Sequence, residues 1–302
     1  MIGQRRTDLA SEAREIWQET ADETTKLQGV TVQEKTVHGF EQTTVKILDA
    51  KGAEALDKPQ GTYITLELGA LLRREKDSFS RGVLALREAL GGILQIKPSD
   101  SVLLVGLGNP AITPDAIGPL VAKQTLATRH LRKLSPEHFA NFRAVSVLQT
   151  GVLGTTGVES AELVKAFAKE FAPDRVIVVD ALASRKFSRV CRTVQLADTG
   201  IVPGSGIANA RAALNRETLG VPVVALGVPT VVDAGTLAAD ILEETGGDSN
   251  LAEKFLSLGK DMFVTPKEID SQVADIAKVM AYAVNAALHE ELSLEDIDML
   301  AG

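Results

Sequence analysis

SVLLVGLGNPAITPDAIGP, residues 101–119, decides how this chain reads. Val102 to Val105 is an unbroken apolar run, the spelling of a strand buried on both faces. Gly106 to Asn109 supplies a glycine turn, and Thr113-Pro114-Asp115 steps into a helix. The same grammar returns at Arg175 to Asp180, RVIVVD, a second buried strand that runs into an acid. In an α/β sheet, ligands gather at the carboxyl ends of the strands. Asp115 and Asp180 are therefore expected to meet at one sheet edge and form the working site.

Outward from these strands the pattern stays α/β. Val83, Leu84, Leu86, Leu90 and Leu94 recur at helical spacing within residues 78–95. A helix is expected near 115–127, a strand over 144–148, a glycine-rich loop over 150–157 and a helix over 158–171. Further strands are expected at 193–198 and 221–228, with a helix over 235–244. Thr265-Pro266-Lys267-Glu268 spells a capping box with proline at the first helical position. Val273, Ile276, Ala277, Met280, Val284 and Leu288 form the apolar stripe of the helix it would open.

Upstream the character changes. Residues 30–68 alternate apolar with polar positions and carry β-branched residues, which predicts partly solvent-facing strands. Lys58 to Gly61 reads as a turn between two of them. Ser11 to Thr25 reads as a helix with Ile16 and Trp17 as its main apolar contacts. The expected fold is α/β: a twisted, largely parallel sheet with helices on both faces, phosphorylase/hydrolase-like, with N-terminal β-strand additions at 30–68, in one domain over 1–302.

Composition narrows the function. With 45% hydrophobic and 24% charged residues, the 302-residue chain is an ordinary globular sequence with ample core. A net charge of −8 argues against a sequence-independent nucleic-acid binder, which needs a basic footprint. The single cysteine, Cys191, rules out an intramolecular disulfide framework and suits a reducing compartment. No apolar run approaches bilayer length and no signal-peptide pattern opens the chain, so a cytoplasmic protein without a membrane partner is expected.

Each candidate also has a plainer reading. Asp115 at a helix entrance suits the cap and the dipole. Asp198 and Asp233 resemble Asp180 in context, although Asp233 looks more like a cap for the helix after it. Gly106-Leu107-Gly108-Asn109-Pro110-Ala111 fits the dinucleotide fingerprint, which leaves a non-catalytic nucleotide-binding or regulatory module as the alternative function. Pro110 and Pro114 delay the helix, and no acid stands where the ribose would be read. These glycines read instead as a sharp turn beneath a bound substrate. Gly204-Ser205-Gly206 lacks the context of a nucleophile elbow. The histidines, His38, His130, His138 and His289, have no metal-binding spacing, and His289 suits the negative end of the last helix. No metal or other cofactor is expected. What remains is a pair of acids. Two carboxylates brought close share a proton, so one can activate water while the other polarises a carbonyl.

Several blocks then resemble one family: VGLGN (105–109), TPDAIGP (113–119), TRHL (128–131), GVLGTTGVES (151–160), VVDALASR (178–185), DTGIVPGSGIAN (198–209), LGVPVVALGVPTVVDA (219–234) and MFVTPKEID (262–270). In this order and over nearly the whole chain they resemble the spore germination protease. The resemblance implies a fold similar to the hydrogenase-maturation endopeptidases. It also implies an endopeptidase in the spore-core cytoplasm, acting on small acid-soluble spore proteins as a homo-oligomer made as a self-processing zymogen. It puts the catalytic aspartates on Asp115 and Asp180. Thr7-Asp8-Leu9-Ala10-Ser11-Glu12 resembles the family's cleavage site, which implies a propeptide of residues 1–8 cut between Asp8 and Leu9. Gly106, Gly108, Asn109, Gly154, Gly204, Ser205 and Gly206 are candidate walls of the substrate site. Residues 245–261 and the leader are both shorter than the family pattern.

Overall fold

The computed structural model describes residues 7–20, 27–205, 211–246, 249–259 and 262–301. Its strands are β1 (Val30–Val37), β2 (Phe40–Ile47), β3 (Gly61–Glu67), β4 (Val102–Leu107), β5 (Val145–Gly151), β6 (Arg175–Ser184), β7 (Thr193–Ala197), β8 (Val223–Asp233) and β9 (Phe263–Val264). Among the described residues they form one nine-stranded sheet in the order β1-β2-β3-β7-β8-β6-β4-β5, with β9 paired to the end of β8.

The fold is α/β, and the sheet is mixed. Strands β5, β4, β6 and β8 run parallel. The N-terminal hairpin, β3, β7 and β9 join antiparallel. Strand β7 supplies the seam, pairing antiparallel with β3 on one side and β8 on the other.

Alternation along the central strands sorts their side chains to two faces. Leu104, Ile177, Val179, Val224 and Leu226 pack with the helices Ser78–Leu94, Ile117–Lys123 and Ile269–Leu288. Leu103, Val105, Val176 and Val178 pack on the other side with Ala161 and Val164 of the helix Ser160–Phe171. This double cover is why all of β4 is buried and reads as a continuous apolar run. The long helix Ile269–Leu288 is followed by a short one, Leu294–Ala301, and is tied to the loop after Ile117–Lys123 by Asn285. Its Oδ1 accepts from the Leu126 amide (2.9 Å) and its Nδ2 donates to Gln124 O (2.9 Å).

Three local expectations change. A short helix, Ala50–Leu56, capped by Asp49, separates β2 from β3, so the turn at Lys58 to Gly61 joins a helix to a strand. The capping box at Thr265 does not form. Pairing with β8 holds Phe263–Val264 extended, residues 265–268 turn, and the helix starts at Ile269 without a side-chain cap. Strands β6 and β8 run past their predicted ends to Ser184 and Asp233 because they stay paired with each other, across a register shift between Leu182 and Ala183. Gly227 permits this pairing: a Cβ there would lie 2.4 Å from Leu182 Cδ1.

Candidate active site

The end of β4 is shaped by glycines that make room for the chain's own backbone. A Cβ on Gly106 would lie 2.3 Å from Gly118 O, and one on Gly118 would lie 2.1 Å from Leu107 O. The helix Ile117–Lys123 thus sits directly on β4. Gly108 has φ +113°, and a Cβ there would lie 2.1 Å from Asp115 O. These glycines seat the Asp115 loop; Gly108 also lines the cavity beside Asp115, whereas Gly106 faces Gly118. They also depart from a nucleotide-binding turn, since a 3-10 turn at Thr113–Asp115 occupies the place of the helix start.

The turn that carries Asp115 is held by three hydrogen bonds, one of them to Asp115 itself. Its Oδ2 accepts from the Asn109 amide at 2.7 Å. Thr113 Oγ1 donates to Asp270 Oδ1 of the helix Ile269–Leu288 at 2.6 Å. Thr230 Oγ1 of β8 donates to Pro114 O, also at 2.6 Å. Partial burial raises the pKa of Asp115, opposed by the Asn109 hydrogen bond and the charge of Arg211.

Asp180 lies within β6, is 6% exposed and accepts from the Ala181 amide at 2.9 Å. Burial holds its proton well above the usual carboxylate range, and the charges of Asp115 and Asp8 add to this. Both acids line one cavity of about 450 Å³, together with Gly108, Pro203, Gly204, Ser205, Arg211 and Thr230.

The N-terminal segment enters this cavity. The Asp8 amide donates to Ala183 O (3.0 Å), and the Asp8 carboxylate accepts from the Ala183 amide (2.9 Å) and Ser205 Oγ (2.7 Å). Gln195 of β7 brackets the next residues: its Nε2 donates to Asp8 O (3.1 Å) and its Oε1 accepts from the Ala10 amide (2.7 Å). Leu9 is fully buried. Glu12 is also fully buried, accepting from the amides of Arg185 (2.6 Å) and Lys186 (3.0 Å). The helix Ala10–Thr20 lays further acids on the same basic stretch, with Glu15 against Lys186 and Arg189 and Glu19 against Arg185.

The other candidates separate clearly. Gly204 and Ser205 line the cavity, whereas Gly106, Asn109 and Gly154 are not among its lining residues. Asn109 serves through its backbone, and its side chain caps Ala111. Gly206 lies outside the described residues. Asp233 caps the following helix through Thr236, and Asp198 holds the Thr62 amide. Cys191 is buried, which pushes its thiol up to about 12. His289, read as a positive helix tip, is buried and pushed down to about 4, so it is neutral at pH 7. Among the described residues no cluster of three or more His, Cys, Asp or Glu is placed to hold a metal ion, and no helix is long and apolar enough to cross a membrane. Gln195 and Arg211 were not anticipated. Gln195 sits in what reads as an ordinary strand, and Arg211, paired with Glu159 at 3.0 Å, reads as a surface cation.

A cavity where two carboxylates share space with a docked stretch of main chain, on an α/β sheet, is an arrangement suited to a peptidase. Comparison with known proteins gives the family. The germination protease family profile matches residues 10–246 and 241–301. A germination protease from Caldanaerobacter subterraneus subsp. tengcongensis is 41% identical over 98% of this chain and 97% of its own. One from Clostridium perfringens strain 13 is 38% identical over 97% of this chain and 98% of its own. One from Bacillus cytotoxicus is 36% identical over 96% of this chain and 95% of its own, in an alignment 354 positions long. That alignment exceeds the 302 residues here, so the Bacillus relative carries segments this chain lacks. Among solved structures, the [NiFe] hydrogenase maturation protease HycI from Thermococcus kodakarensis is 20% identical with a TM-score of 0.36, covering 65% of this chain and 98% of that one. A likeness that loose carries no argument about the fold. The chain belongs to the germination protease family, and it is an endopeptidase.

Proposed function

We propose that this endopeptidase begins the breakdown of small acid-soluble spore proteins at germination, in the spore cytoplasm, through Asp115 and Asp180. It acts as one α/β domain over residues 1–302, made as a zymogen that removes residues 1–8 by cutting Asp8–Leu9. The observation that carries this reading is the burial of Asp180 in one cavity with Asp115, where the Asp8 segment is docked.

The roles follow from the environments. Asp180, the more buried acid, keeps its proton and donates it to the scissile carbonyl oxygen. Asp115, half-buried and near the charge of Arg211, takes a proton from water as the water oxygen bonds to the carbonyl carbon. The tetrahedral intermediate then collapses. Its oxygen returns the proton to Asp180, Asp115 passes its proton to the leaving nitrogen, and the C–N bond breaks. Both acids end in their starting states.

The test is incubation of the purified chain with a small acid-soluble spore protein, followed by sequencing of the fragments. Intact mass of the enzyme alone reports loss of residues 1–8. Cleavage after an acid, with shortening of the enzyme, supports the reading. An intact substrate beside a correctly folded, shortened enzyme would remove this substrate class.

A further inference from the structure

The cavity does more than place two acids near a backbone. Its wall supplies two hydrogen-bond donors that converge on one side chain. The Ala183 amide reaches Asp8 Oδ2 at 2.9 Å, and Ser205 Oγ reaches Asp8 Oδ1 at 2.7 Å. The donors come from distant parts of the chain, β6 and the loop after Ile201, and each carboxylate oxygen receives one. The main chain is registered independently, by the Asp8 amide on Ala183 O and by Gln195 on Asp8 O and the Ala10 amide. A side chain at this place therefore cannot slide away from the two donors.

We propose that the Ala183 amide and the Ser205 hydroxyl form the subsite that selects an acidic side chain immediately before the scissile bond, in protein substrates as in the chain's own leader. This rests on reading Asp8–Leu9 as a bond the enzyme cuts. Chemistry favours an acid there over its amide. A carboxylate offers both oxygens as acceptors, whereas Asn offers one oxygen and turns an NH2 toward the second donor. Hydrogen bonds to an ionised acceptor are also about twice as strong as neutral ones. A carboxylate bound beside Asp180 further favours the protonated form of Asp180, because its charge opposes ionisation there. An acid before the bond thus helps hold the proton that the carbonyl receives.

The experiment is a double-mutant cycle on self-processing, with loss of residues 1–8 followed by intact mass over time. The full-length chains are the wild type, Asp8→Asn, Ser205→Ala and the double variant, with matched melting curves as the control for folding. Each single variant is expected to process about tenfold more slowly, the loss of one charge-assisted hydrogen bond, and the double variant no slower than the worse single. Ser205→Thr, which keeps the hydroxyl, is expected to restore most of the rate. Effects that multiply in the double variant, or a Ser205→Ala chain that processes at the wild-type rate, would overturn the subsite while leaving self-cleavage intact. A wild type that never loses residues 1–8 would overturn the self-cleavage reading and the subsite together.

Discussion

Asp115, in the turn after β4, and Asp180, within β6, share one cavity, and the charge of Asp115 adds to burial in holding the Asp180 proton. Carboxylates that interact strongly titrate as a pair. Activity is expected to fall on the acid side as Asp115 gains a proton and on the alkaline side as Asp180 loses one. A bell-shaped pH profile of kcat/KM checks this. A profile flat through neutrality and into the alkaline range would contradict the assignment of roles.

The same burial has a stability consequence. Folded Asp180 binds its proton more tightly than the unfolded chain does, so its effect on stability becomes more unfavourable as pH rises above the ordinary carboxylate range, up to the folded pKa. Asp180→Asn removes this burden. The variant is expected to melt at or above the wild-type temperature at pH 8, with the advantage shrinking toward pH 4, in melting curves recorded across that range.

Gln195 holds the docked segment by two hydrogen bonds. Gln195→Ala is expected to slow self-processing by about tenfold, the size of one to two net hydrogen bonds. A time course of intact mass measures it.

The glycine packing beneath the site should be intolerant of substitution. A methyl group on Gly118 would meet backbone atoms on β4 and β6, with Leu107 O at 2.1 Å and Val179 O at 2.6 Å. Backbone has little room to yield, so Gly118→Ala is expected to cost about 3 kcal/mol or more in denaturant unfolding.

His289 provides an acid-side test away from the cavity. Burial, with the charge of Arg143, pushes its pKa down to about 4. The unfolded chain therefore binds the extra proton first, and stability falls as pH drops from the ordinary histidine value toward the folded one. The slope approaches about 1.4 kcal/mol per pH unit in that window. His289→Phe, which keeps an aromatic ring beside Phe142, is expected to flatten the fall. Denaturant midpoints measured between pH 4 and pH 7 read this directly.

The sequence revealed what is written locally. An apolar run ending in an acid exposed Asp180, and a proline step out of a glycine turn exposed Asp115. The two-face cover of β4 was legible because each of its residues is apolar. The direction of β7 was not, since a short run of this kind fits either pairing and only its neighbours, β3 and β8, decide it. Gly106 and Gly108 were ambiguous for a similar reason. A glycine reports that a Cβ would clash, without saying whether the neighbour is a ligand or the chain itself, and here it is the backbone of Gly118 and Asp115. Thr265 misled because a cap needs a free chain, and β9 is held by β8. Gln195 and Ala183 were invisible because their work is done on Asp8, far away in sequence.

The most direct test of the central claim is the cleavage rate of Asp115→Asn and of Asp180→Asn, each shown by its melting curve to be folded, followed by mass spectrometry on both a small acid-soluble spore protein and the enzyme's own N-terminus. The two-aspartate mechanism predicts that neither variant cuts its substrate and that both retain residues 1–8. Wild-type cleavage by either folded variant would contradict it.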